Sequence, residues 1–168
     1  MAVEQASYKI VLKEGPFEVR LYDPMIVATC RETDLAGGDG FNRIFSYING
    51  NNRESMKIAM TAPVINYLED QQSTTAFVMP VHYRLSELPQ PNDPALQIKE
   101  IHGRQVAAVS FLGTINARVI SMKKIELQKW LQAKHLIAIG VMELARYSAP
   151  YIPVFIRRND LMIEIQSV

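Results

Sequence analysis

The chain has 168 residues, 48% of them hydrophobic, with 18 basic and 17 acidic side chains and a formal net charge of +1. That size and apolar content predict one domain with a substantial core, and the near-neutral balance excludes the basic footprint of a nucleic-acid binder. The single cysteine, Cys30, excludes an intramolecular disulfide and a multi-cysteine metal cluster.

No apolar run approaches the roughly 20 residues needed to cross a bilayer. The N-terminal text MAVEQASYKIV lacks a basic-then-apolar leader pattern. The expectation is a soluble chain without a membrane span, in the cytoplasm, or in the periplasm if a signal peptide was removed.

Tyr8 to Leu12 reads as a strand, and Glu14-Gly15-Pro16 supplies a turn. Phe17 to Leu21 alternates apolar and polar, the period of a half-buried strand, and Asp23-Pro24 breaks it. Met25 to Cys30 is apolar without alternation, which predicts a strand buried on both sides. Leu35 to Gly40 is a glycine-rich approach to a helix. In that helix Phe41, Ile44, Phe45 and Ile48 recur at i, i+3, i+4 and i+7, on one face. Asp39 is the expected cap and Gly50 the expected stop. Met56-Lys57-Ile58-Ala59-Met60-Thr61-Ala62-Pro63-Val64 then leads into a strand, because Pro63 forbids further helix. Val64 to Leu68 and Thr74 to Met79 read as a hairpin around a polar turn.

The text SELPQPNDP at 86–94 carries three prolines and reads as a joint between two halves, approximately 8–85 and 95–166, of a single domain covering 1–168. The second half repeats the element order of the first. Strands are expected at Leu96 to Ile101 and Gln105 to Phe111, and a helix at Ile115 to Lys134. Further strands are expected at Ala138 to Val141, Ile152 to Ile156 and Leu161 to Ile165, the last two joined by a turn at Arg158-Asn159-Asp160. On the second helix Lys123 and Glu126 intrude into the apolar arc at i,i+3 spacing. They either snorkel outward as a pair or line a cavity. Such a pattern of strands and helices is of the α+β class.

SYINGNN followed by MKIAMTAPV resembles the signature of the SOUL haem-binding protein family. The resemblance extends from Tyr8 to Ile165 through EGPFEVRLYDP, Phe77-Val78-Met79-Pro80 and RRNDLMIEI. It implies a distorted antiparallel β-barrel of about eight strands with two helices and a pseudo-twofold repeat, an architecture that recurs in small-molecule-sensing domains of bacterial regulators. It also implies a small planar hydrophobic ligand, haem or a related porphyrin. In the family member with an identified axial histidine, that residue falls where this chain has Leu21. A leucine cannot ligate iron, so the resemblance implies binding in a hydrophobic cleft without the axial histidine. In another member a cationic helix residue that contacts the ligand falls at Ser46. YSAPYIP at 147–153 resembles the family's proline-containing loop before the last hairpin and is a candidate for one wall of a cleft.

Haem requires an apolar slot, cations for its propionates and, where the iron is held, an axial side chain. Phe41, Ile44, Phe45, Ile48, Met56 and Met60 are the candidates for the slot, and Arg53 and Lys57 for the rim. The competing reading makes the apolar set plain core. No nucleophile sits beside a general base, and metal spacings such as H-E-x-x-H are absent, so neither a catalytic nor a metal residue is assigned. The alternative is a small-molecule hydrolase or effector-sensing domain using a pocket glutamate, Glu126 or Glu143, the acids embedded in apolar text.

Overall fold

The computed structural model describes residues 3–32 and 38–168. Among these residues the architecture is α+β, with nine strands and two α-helices. In chain order they are β1 (Tyr8–Glu14), β2 (Phe17–Tyr22), β3 (Met25–Arg31), α1 (Asp39–Ile48), β4 (Val64–Glu69) and β5 (Gln72–Val78), then β6 (Leu96–Ile101), β7 (Arg104–Leu112), α2 (Ala117–Ala133), β8 (Met142–Arg146) and β9 (Arg158–Ile165). Most of the glycine-rich approach at 35–40 lies outside the described residues.

The chain divides into two compact units that interleave along the sequence. The first takes the residues up to Ala6 and Pro24–His102, the second Ser7–Asp23 and Gly103–Val168. The proline-rich stretch 86–94 therefore lies inside the first unit. Within each unit the pairing is antiparallel, in the order β4-β5-β3-β6 in the first and β8-β9-β7-β2-β1 in the second. Both units follow one plan: a strand leads through a helix into a hairpin whose second strand returns beside the first, and a fourth strand flanks the first on its other side. The repeat of element order is thus present in the sheet order, and the second unit carries one strand more, β1.

The first unit closes over Ala28, Ile44, Tyr47, Ile48, Phe77 and Leu96, and β3 is buried on both faces at Val27–Cys30, as its unbroken apolar run requires. Helix α1 buries Ile44, Tyr47 and Ile48. Tyr47 replaces Phe45 in the expected stripe, because the helix rolls toward β3 and β5 and leaves Phe45 at its margin. Asp39 is not the cap. It occupies the first turn, where its charge suits the helix dipole, while Gly38 takes the cap position without a side-chain bond.

In the second unit α2 buries Leu127, Trp130 and Leu131, and Trp130 stacks on Phe17 of β2 with centroids 5.2 Å apart. Lys123 and Glu126 pair at 3.1 Å, and both side chains are half-buried. Three expected elements differ. The strand expected at Ala138 to Val141 starts later, at Met142. Residues 137–139 do bond to 164–166, but only through an isolated bridge, and Gly140 interrupts the run. Ile152 to Ile156 is not a strand but ends in a short turn of 3-10 helix at Val154–Ile156, because Pro150 and Pro153 remove ladder donors. Arg158-Asn159-Asp160 is not a turn but the start of β9. The Asn159 amide donates to Gly113 O and the Asp160 carboxylate accepts from Arg20, and these long-range bonds outweigh local turn preference.

Candidate functional site

Helix α1 presents two different surfaces. Ile44 and Ile48, 0% and 2% exposed, are locked into the core of the first unit, as the plain-core reading of those two residues requires. Phe41, Met56 and Met60 are half-buried against that same core. The Phe41 ring meets Phe77 edge-on at 5.0 Å and lies nearly parallel to Phe45 at 6.0 Å and 11°. Phe45 itself is 46% exposed. Arg53 and Lys57 are both exposed, and among the described residues neither takes part in an ion pair. Arg43 differs: it pairs with Asp39 and with both oxygens of Asp93, and these carboxylates raise its pKa further.

The exit of α1 is built around Asn52, a residue the sequence reading treated only as turn text. Its amide nitrogen donates to Tyr47 O at 3.0 Å and Met56 O at 2.8 Å, while its oxygen accepts from Glu54 N at 3.2 Å and Met56 N at 3.0 Å. Every polar direction of this buried side chain is used, so the loop that carries Arg53, Met56 and Lys57 has a fixed path. Gly50 makes this path possible at φ 109°, the left-handed region. Tyr47 Oη donates to Pro89 O at 2.7 Å, and Arg53 N donates to Gln90 O at 2.9 Å. Burial, with Glu54 nearby, pushes the Tyr47 phenol up to about 12.

Those bonds fix the segment 85–91, which forms one side of a groove of about 560 Å³ whose other side is residues 96–99 of β6. The volume is within the range of small-ligand sites. The sequence reading missed this groove because prolines at 89 and 91 read as a joint. The alternation of Leu96 and Ile98 with Gln97 and Lys99 was the available signal.

The other residues with ligating or acid-base chemistry are dispersed. His82, His102 and His135 are exposed, as is Ser46, and Leu21 is 41% exposed on β2. Among the described residues no three His, Cys, Asp or Glu side chains converge as metal ligands would. Cys30 is buried, and burial pushes its thiol pKa up. In the second unit both oxygens of Glu143 accept from Arg104, at 2.7 and 2.8 Å. Glu126 is bound to Lys123 and partly exposed. The loop at 147–157 is held by Arg157, which donates to Ile152 O at 2.7 Å and Pro150 O at 2.6 Å. Beside it Arg158 lies over the Tyr147 ring at 4.0 Å. Among the described residues no helix is long and apolar enough to cross a membrane.

Against haem's requirements, the first unit supplies an aromatic plane in Phe41 and Phe45, two adaptable thioethers and two exposed cations. The residue at the expected axial position, Leu21, supplies none of the ligation chemistry. In residue type this set matches what a macrocycle and its carboxylates require, and position 21 lacks an axial histidine.

The family described as SOUL heme-binding protein matches residues 3–164. A protein of Mus musculus named Heme-binding protein 2 is 40% identical over 80 residues, which are 43% of this chain and 39% of that protein. The chain therefore matches well under half the length of this relative. Among solved structures, the EcmrR C-terminal domain superposes with a TM-score of 0.68 at 10% identity, over 96% of this chain and 99% of that one. A hydrolase from Listeria innocua superposes with a TM-score of 0.64 at 12% identity, over 93% and 94%. At such identities these two likenesses establish the fold alone.

Proposed function

As the chain belongs to the SOUL haem-binding protein family, we propose that it binds haem or a related porphyrin non-covalently, in a hydrophobic cleft at α1 and without an axial histidine. The observation that carries this reading is the Phe41–Phe45 stack, whose outer ring stays 46% exposed while Ile44 and Ile48 of the same helix are locked into the core. A planar macrocycle laid on that ring extends an aromatic stack already present. Met56 and Met60 adjust to its edge, and Ile44 and Ile48 hold the helix from behind. Arg53 and Lys57 meet the carboxylates at the rim.

Affinity comes from apolar area, at about 25 cal/mol per Å² before the costs of association. When bound, haem would supply an iron-centred macrocycle that Phe45, Met56 and Met60 would hold by apolar contact, with Arg53 and Lys57 at its carboxylates. A hydrolytic reading through Glu126 or Glu143 has less support, since each carboxylate is committed to a cation of its own unit.

Titration with haemin tests the proposal. The Soret band is expected to shift at micromolar haemin without a bis-histidine spectrum, and Phe45→Ala or Lys57→Glu is expected to weaken binding. Absence of any shift removes haem.

A further inference from the structure

The two units share the order of four strands, yet the second has a fifth. In it β2 flanks β7, and the outer edge of β2 is covered by β1, antiparallel from Tyr8↔Tyr22 to Glu14↔Phe17. The counterpart of β2 in the first unit is β6, which flanks β3 from Met25↔Ile101 to Cys30↔Leu96 and ends its sheet. No strand covers the outer edge of β6 among the described residues. The groove of about 560 Å³ lies along that strand, between residues 96–99 and the segment 85–91.

We propose that this groove is a docking site for an extended acidic segment of a partner protein, which adds to β6 as β1 adds to β2. An antiparallel edge strand directs the main-chain N–H and C=O of every second residue away from its neighbour, and such groups recognise extended backbone whatever its sequence. Four lining residues of β6 present about 13 Å of edge. Leu85, Leu88, Leu96 and Ile98 supply apolar contacts for alternate side chains of the incoming strand.

Charge selects the occupant. Among the described residues Lys99 is the charged side chain lining the groove, and it is exposed and without an ion pair. Two copies of β6 paired edge to edge in the register centred on Lys99 set like charges opposite one another, which disfavours that self-association. A strand bearing glutamate or aspartate at the facing position is favoured instead.

The probe is a dye-labelled, end-capped peptide of alternating valine and glutamate, compared with a valine–lysine counterpart and with a version carrying a central proline. Fluorescence anisotropy is expected to show saturable binding of the glutamate peptide only. Amide hydrogen exchange at alternate residues of Gln97–Ile101 is expected to slow on binding. Lys99→Glu, an exposed substitution outside the haem cleft, is expected to weaken the glutamate peptide about tenfold and to admit the lysine peptide. Unchanged β6 exchange at millimolar peptide, or binding indifferent to proline and to Lys99→Glu, overturns the proposal. A concentration-dependent dimer that protects β6 assigns the edge to a second copy and overturns it equally. Haemin titration is independent of all these outcomes.

Discussion

Arg20 and Asp160 stand 140 residues apart in the chain and meet in the second unit as a fully buried ion pair, Nη1 to Oδ2 at 2.8 Å. Arg20 Nε also donates to Glu18 at 2.6 Å, and its guanidinium lies over the Tyr8 ring at 4.5 Å. Arg158 reaches the same Asp160 oxygen at 3.1 Å. Burial opposes the charge on Arg20, yet Tyr22, Asp160 and Glu18 around it raise its pKa. Removing one partner leaves charge uncompensated in a low-dielectric interior. Asp160→Ala is expected to cost about 3–5 kcal/mol in urea unfolding, and a double variant with Arg20→Met is expected to cost less than the two single changes added.

Gly40 tests how α1 is seated. Its backbone N–H donates to Glu32 Oε2 at 2.8 Å, and the other oxygen of that carboxylate accepts from Thr75 Oγ1 at 2.5 Å. A Cβ at position 40 falls 2.7 Å from Glu32 Oε1 and 3.2 Å from Cys30 O. Gly40→Ala is expected to lower stability by about 1–3 kcal/mol, read from the urea midpoint, and the loss is expected to shrink when Glu32→Ala removes the obstructing carboxylate.

Tyr47 predicts an alkaline dependence. Its folded pKa of about 12 exceeds the ordinary 10 because burial disfavours the phenolate. Below about pH 10 both folded and unfolded chains keep this proton, and its contribution is intact. As pH rises from there through 12 the unfolded chain releases the proton first, so stability falls across that window. Urea unfolding followed between those limits is expected to show the decline, and Tyr47→Phe is expected to flatten it. The same substitution leaves Pro89 O without its donor, at about 1 kcal/mol near neutral pH.

Phe45 and Ile48 separate binding from folding. Ile48→Ala is expected to destabilise the protein by about 2–5 kcal/mol, since it opens a cavity in packed core. Phe45→Ala, at an exposed margin, is expected to move the unfolding midpoint little while weakening haemin binding severalfold. Equal losses of stability from the two substitutions, with haemin binding untouched, defeat the cleft at α1.

Asn52→Ala probes the loop that follows α1. Loss of its four hydrogen bonds is expected to cost about 2–3 kcal/mol. Because Met56 and Lys57 are then no longer held in place, haemin affinity is expected to fall as well. Restoring stability with an unrelated stabilising substitution is not expected to restore that affinity.

Element identity was legible wherever one local pattern dominated. The burial of β3 followed from its unbroken apolar run, the α1 helix from its 3.6-residue period, and the β4–β5 hairpin from β-branched runs around a polar turn. Family membership was legible from separated motifs in order. What local pattern misjudged were residues whose partners are remote. Asp160 and Asn159 have turn chemistry, yet Arg20 and Gly113 hold them in a strand. Tyr47 lies outside the expected stripe, yet its ring is buried in the core and its hydroxyl donates to Pro89 O.

The sequence by itself determined the α+β class, the order of the elements through α2 and the burial of Ile44 and Ile48 on α1, because periodicity and turn residues act within a few positions of one another. Tertiary structure alone decided which of those apolar residues stay exposed, what Asn52 organises and where the groove beside β6 runs. Each depends on how far a helix rolls or which strand lacks a neighbour, and those are set by packing among residues dozens of positions apart.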